Sequence, residues 1–318
     1  GIVTATANTG DAVILAGLTT TGTDEIAITL ANVSTTAANL NTINGKTNVA
    51  VNANAISELT GNATDIISAY TANTAGTITG LGTKAVIVDN TASAGNVNTI
   101  ANATSGVVTA TITSGAVSST LAAITNVNTS DVITFTTTDT SVDASDLVAL
   151  AAKVDTFTTS SIANITEDAA NVGSVNTALT TSGLLDGNEN VSINGAISVA
   201  DINTLNGNTT GVITAVATQT DAASLITLTT TNTDMITVNM AASSTSAGDL
   251  NTIDGKTGVA VNATSISQLT GTATDITAAL SSAGITTVTN GSLAVNVSGT
   301  ASVAEINAIN GDSATGIV

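Results

Sequence analysis

The chain has no cysteine, no proline, no histidine and no tryptophan, and its four cationic side chains are all lysine. Without cysteine, stability must come from packing and hydrogen bonding, because no disulfide constrains the unfolded state. Without proline, every residue can donate to a hydrogen-bonded ladder, as expected where a sheet runs through the molecule. The missing histidine, cysteine and arginine remove the usual general bases, nucleophile–base pairs and phosphate clamps, which points away from an enzyme. Four lysines stand against 23 acidic residues, a net charge of −19. That balance argues against nucleic acid and anionic membrane surfaces, which need clustered basic residues. It suits salty water or divalent cations. Aromatic residues make up 1% of the chain, so any core is built from valine, isoleucine, leucine and alanine, in thin aliphatic layers. Mean hydropathy is +0.42, yet Thr and Ser interrupt every apolar stretch short of the ~18 residues a membrane-spanning helix needs.

What is present is a repeat. Gly1-Ile2-Val3-Thr4-Ala5-Thr6 returns as Gly106-Val107-Val108-Thr109-Ala110-Thr111 and as Gly211-Val212-Ile213-Thr214-Ala215-Val216. This gives repeats at 1–105, 106–210 and 211–315, with 316–318 opening a fourth. A fixed period of this size signals stacked units that bury their apolar faces against one another. The expectation is one continuous solenoid, cut from a longer array.

Each period contains four β-branched runs that predict strands. They begin at Ile26, Val49, Ala85 and Val107, then Val132, Val154, Val191 and Val212, then Met235, Val259, Leu293 and Ile317. One interval in each cycle is longer than the rest. Between the strands, Asn39–Gly45, Asp201–Gly207, Asp249–Gly255 and Glu305–Gly311 predict short helices opened by an acid or Asn and closed by a left-handed Gly. Asn96–Ile100 and Asp146–Leu150 are weaker relatives. The long interval carries a two-part helical stretch, Ile56–Leu59 with Thr64–Tyr70, Ile162–Ile165 with Val172–Leu179, and Ile266–Leu269 with Ala273–Leu280. The fold expected is a β/α solenoid of about twelve coils, with short parallel strands and short helices. An all-β solenoid, or one compact module per period, is the alternative.

No catalytic, cofactor-binding or metal-ligating residue is assigned. Gly45-Lys46-Thr47 and Gly255-Lys256-Thr257 match the end of a phosphate-binding loop, but Leu40 and Leu250 occupy the positions of its first glycine. Lys46, Lys153 and Lys256 fit better just beyond helix C-termini. Asp24, Asp131 and Asp234 precede strands; Asp65, Asp146, Asp201, Asp249, Asp275 and Glu305 sit at helix starts. Capping accounts for the latter, and Ca²⁺ is the one cofactor the acids leave open. Thr109-Ala110-Thr111 and Thr134–Thr138 suggest an ice-binding threonine face, but other predicted strands break the ladder. Asn-x-Ser/Thr sequons at Asn32, Asn62, Asn102, Asn128, Asn164, Asn190, Asn208, Asn262 and Asn296 would allow surface glycans.

The segments Ser246–Ile276 (SAGDLNTIDGKTGVAVNATSISQLTGTATDI) and Ala37–Ile66 (AANLNTINGKTNVAVNANAISELTGNATDI) resemble the Thr/Ala/Asn-rich repeats of giant cyanobacterial cell-surface proteins of the marine Synechococcus type. The resemblance implies an extracellular, cell-surface structural protein and carries over no catalytic residue. The function expected is a repeat section of a giant extracellular protein forming a stiff fibre, stalk or surface coat. Its partners would be neighbouring repeats or identical chains. An adhesin face recognising glycans or cations is the binding alternative, and a phage fibre or carbohydrate-degrading solenoid with a carboxylate pair the third.

Overall fold

The computed structural model describes residues 1–287 and 293–312. The strand expected at Ile317 and the opening of a fourth repeat at 316–318 lie outside the described residues. Two compact bodies are formed, Gly1–Asp139 with Asp146–Ser161, and Thr140–Ser145 with Ile162–Val318.

Among the described residues twelve α-helices alternate with strands: α1 Ala12–Ala16, α2 Ala37–Asn44, α3 Ala63–Thr74, α4 Ala94–Ala103, α5 Val117–Ala123, α6 Ala144–Ala151, α7 Val172–Thr180, α8 Val199–Asn208, α9 Ala222–Leu225, α10 Ala247–Asp254, α11 Ala273–Ser281 and α12 Val303–Asp312. They begin 23 to 31 residues apart. Helices this short are marginal alone in water, so caps and docking must hold them. Thr36, Asn62, Ser93, Ser198, Ser246 and Thr272 each accept the backbone N–H three residues on. Each docked face is a narrow stripe at three-residue spacing, as in Ala37, Leu40 and Ile43 of α2 or Ala247, Leu250 and Ile253 of α10.

The strands pair in parallel, each with a partner 20 to 27 residues further along the chain. In the first body six strands lie in the order 34–36, 58–61, 85–88, 108–111, 132–136 and 156–158. Smaller ladders join 4–6 to 25–27 and 51–52 to 78–79. In the second body five strands follow in order, 141–143, 164–168, 190–197, 213–217 and 235–237. Three more run 244–246, 268–271 and 294–297, and 261–262 pairs with 285–286. Parallel neighbours cannot be joined by a hairpin, so the chain passes through a helix between the two members of each pair. Consecutive helices pack on one another from α1 to α5 in the first body. In the second, α7 packs on α8, and α9 to α12 pack in sequence.

The core is the inward row of each sheet. Leu59, Val86, Val108 and Ile133 are fully buried along the six-stranded sheet, each worth about 1.5–3 kcal/mol relative to exposure. Phe135 faces Phe157 in register, with ring centroids 5.6 Å apart.

Three expectations are corrected. Ile56–Leu59 and Ile266–Leu269 are not helical: Glu58–Gly61 and Gln268–Gly271 are strands, and Ile162–Ile165 runs into the strand Asn164–Asp168. The long interval therefore holds a strand of its own. The closing glycines are not left-handed, because Gly45 has φ −74° and Gly255 φ −67°, while Gly207 and Gly311 lie inside α8 and α12. The N–H groups of Gly45 and Lys46 donate to the carbonyls of Asn41 and Ile43 and tighten that helix end without a reversed residue. Finally, α1, α5 and α9 stand where no helix is expected.

Candidate functional site

The acids that precede strands bind backbone in the turn of chain before them. Asp24 accepts the N–H of Val3 at 2.8 Å and, through its other oxygen, the N–H of Thr21 at 2.7 Å. Asp131 holds Val108 and Asn128 in the same way, at 2.9 and 3.0 Å. Asp234 holds Ile213 and Thr231, both at 2.9 Å. All three are buried. Each carboxylate thus satisfies a strand N–H one turn of chain earlier and closes its own preceding loop. The N–H bonds from Thr21 and Val3 hold the Asp24 carboxyl below the usual carboxylate range. Asp155 repeats the device on Ile133 at 2.9 Å.

Buried threonines add a second set of links. Thr47 Oγ1 accepts the Ile26 N–H and donates towards the Ile26 carbonyl, and Thr257 does the same at Ile236. The Gly-Lys-Thr triplets therefore wire one turn of chain to the previous one. Thr104 and Thr209 donate to the carbonyls of Lys84 and Glu189, and each accepts the N–H of the glycine two residues on. Those glycines, Gly106 and Gly211, lie against the same two carbonyls so closely that a Cβ would collide with backbone.

The helix-start acids sit in the first turn beside a Ser, Thr or Asn cap. Ser302 and Glu305 exchange both bonds of a capping box, Ser302 N–H to Glu305 and Glu305 N–H to Ser302; these bonds hold Glu305 below the usual range. Asp65, Asp201, Asp249 and Asp275 donate their N–H to Asn62, Ser198, Ser246 and Thr272. Asp146 lies in the first turn of α6. Among the described residues no three acids converge to hold a metal ion, and no helix is long and apolar enough to cross a membrane.

Lys46 and Lys256 directly follow the Gly caps of α2 and α10. Lys153 donates to the carbonyls of Ile124 and Val127, and Lys84 to that of Asn54. Several sequon asparagines are structural: Asn32 accepts the Ala12 N–H, Asn62 caps α3 and Asn208 donates to Asn176.

Two outward sheet faces present ordered polar side chains. In the first body Thr111, Thr134 and Thr156 stand in register, with Thr136 beside Thr158. The next row is not all threonine, since Thr109 lies between Ile87 and Val132. In the second body one row reads Asp143, Thr166, Ser192, Thr214, Met235. Beside it Asn190 donates to Asn164 at 3.2 Å and Asn194 to Asp168 at 2.7 Å. Behind this face Glu167 is buried. Burial pushes its carboxyl up, but bonds from the Ser145 hydroxyl and N–H, the Asp168 N–H and the Asn171 amide outweigh that and leave it below the usual range. Such a face offers amide and hydroxyl groups to a hydroxylated ligand and no ring for a sugar to stack on. A separate groove of about 330 Å³ between α3 and α4 is lined by Tyr70, Asn73, Thr74, Thr99 and Asn102, all uncharged.

Comparison with family models, with curated proteins and with solved structures finds no match.

Proposed function

We propose that each body is a stretch of β/α solenoid, and that the chain is a structural repeat section of a giant extracellular protein forming a stiff fibre, stalk or surface coat. The observation that carries this is the set of buried Asp and Thr links. Asp24, Asp131 and Asp234, with Thr47 and Thr257, spend their hydrogen-bonding capacity on backbone one turn of chain away. Parallel pairings offset by 20 to 27 residues supply the matching ladder. In a stack of this kind, length follows copy number and stiffness follows the unbroken ladder. The twelve helices match about twelve coils, one helix to each. The proposal gives the chain no catalytic role, in keeping with a sequence that lacks histidine, cysteine and arginine. The resemblance to cyanobacterial surface repeats favours the cell surface as its place.

Small-angle scattering on chains of one, two, three and four 105-residue repeats tests the reading. Four coils per repeat at a strand spacing of ~4.8 Å predict about 19 Å of added length per copy. A radius of gyration growing only as the cube root of mass would overturn it.

A second reading, an adhesin, is favoured by the Asp143–Thr214 row and its asparagine neighbours. Titration with neutral oligosaccharides, comparing the chain with Asn190→Ala and Asn194→Ala, tests it: saturable binding lost in the variants supports it, and no heat of binding removes it.

A further inference from the structure

Five Asn-Gly pairs stand in the chain, at Asn44, Asn194, Asn206, Asn290 and Asn310. This is the labile form of asparagine: with no Cβ on the glycine, its backbone nitrogen can approach the side-chain amide carbon and attack it. The attack needs a glycine N–H that no hydrogen bond holds. Gly45 donates to the Asn41 carbonyl, and Gly207 and Gly311 lie inside α8 and α12, where the helical ladder uses each N–H. Asn290 lies outside the described residues.

Asn194 is placed differently, at a break in the strand 190–197. Ser192 pairs with Thr214 and Ala196 with Val216, so Ile193, Asn194 and Gly195 bulge out opposite the single Ala215. On the other side the register with 164–168 ends at Asn194. Gly195 therefore has no register partner on either neighbouring strand. It sits at φ +100°, a conformation that glycine alone takes freely, and Asn194, Gly195 and Ala196 are all exposed. The segment 85–93 (AVIVDNTAS) is the counterpart of 190–198 (NVSINGAIS) one period earlier, each ending on the serine that caps the next helix. Asp89 thus stands in the first period where Asn194 stands in the second, so the fold already accepts a carboxylate at this place.

We propose that Asn194 is a site of self-modification, deamidating in the folded chain through a succinimide. The Gly195 nitrogen gives up its proton and bonds to the Asn194 side-chain carbon, and the amide nitrogen leaves as ammonia. Water then opens the ring at either carbonyl, giving aspartate by one cut and isoaspartate by the other. Water is the one reactant consumed and ammonia the one product released. Asn194 now donates to Asp168 at 2.7 Å. The product sets two carboxylates there instead, and adds one negative charge to a chain already at −19. Isoaspartate also lengthens the strand backbone by one methylene. The amide that the adhesin reading offers to a hydroxylated ligand is lost in the same step.

Incubating the full chain, folded, at mildly alkaline pH in heavy-oxygen water tests this, with peptide mass spectrometry as the readout. Opening of the ring places heavy oxygen on residue 194, as a mixture of aspartate and isoaspartate. Asn194 should take up the label about tenfold faster than Asn44 or Asn206, the ratio that ~1.4 kcal/mol of local opening at those helices would produce. In urea, where neither register nor ladder remains, the three sites should label at similar rates. Asn194→Asp, the direct product, should give the parent's circular dichroism spectrum. An unlabelled Asn194, equal rates at the three sites in the folded chain, or an Asn194→Asp chain that fails to fold would each overturn the proposal. So would the same preference for Asn194 in urea, since sequence and not the bulge would then set the rate.

Discussion

At the residue scale, this molecule spends polar side chains inside itself. Asp234 is the clearest case, since both of its oxygens bind backbone N–H groups and it is buried. Asp234→Ala would leave Ile213 and Thr231 N–H groups without that acceptor, at a cost of about 1–3 kcal/mol for each buried group left unmade. Urea unfolding should show a lower midpoint with an unchanged slope. Thr35 is the opposite case. Its hydroxyl is buried without a hydrogen-bond partner, in the inward row that continues as Leu59 and Val86. Thr35→Val keeps the shape and removes the unsatisfied group, so it should stabilise by about 1 kcal/mol. A midpoint at or below the parent's would refute that. Glu167 sets a pH dependence. Its folded pKa is depressed, so its contribution is present above the ordinary carboxylate pKa of about 4.3 and fades as pH falls through the depressed value. Glu167→Gln should be destabilised at neutral pH, and the gap to the parent should narrow progressively below about pH 4. Comparing the two chains cancels the global charge effect.

At the element scale, the helices other than α1, α5 and α9 are legible in the sequence and about half of the strands are not. Helices α2, α8, α10 and α12 carry a cap, an acid (Asn39 in α2) and two aliphatics three apart, which is enough signal in eight to ten residues. Strands such as Ser34–Thr36 and Ser244–Ser246 bury one threonine each between two serine or threonine neighbours. With a single inward residue there is no alternation to read, so nothing distinguishes them from loop. Ile56 and Leu59 are both buried at helical spacing, but Ile56 sits in the turn before the strand. The polar links were invisible for another reason: an Asp before a strand looks alike whether it faces water or a backbone N–H one turn of chain away. Glycine gives this scale its test. Gly211 has no room for a Cβ against the Glu189 carbonyl, whereas Gly173, in α7, faces open space. Gly211→Ala should cost about 1–3 kcal/mol through forced backbone shifts, and Gly173→Ala should gain about 0.5–1 kcal/mol from helix propensity. Equal effects at the two sites would show that the close approach is not real.

At the scale of the whole molecule, charge is the quantity left unbalanced. Four lysines cannot neutralise 23 acids, and two of the lysines donate to backbone carbonyls. Self-repulsion across a folded chain of this charge opposes compactness, and salt relieves it, because the Debye length shrinks from about 10 Å at 0.1 M to about 3 Å at 1 M. The melting temperature should therefore rise with NaCl and level off near 1 M. A gain of one kcal/mol corresponds to roughly 2–4 °C for a unit of 150–250 residues. Calcium separates screening from binding. The acids at helix starts are engaged with caps, those before strands with backbone, and no three converge among the described residues, so CaCl₂ and NaCl at equal ionic strength should move the transition alike. A much larger shift with Ca²⁺ would mean that carboxylates on neighbouring turns of chain share a cation, and would move the functional assignment from a passive fibre to a cation-dependent adhesin.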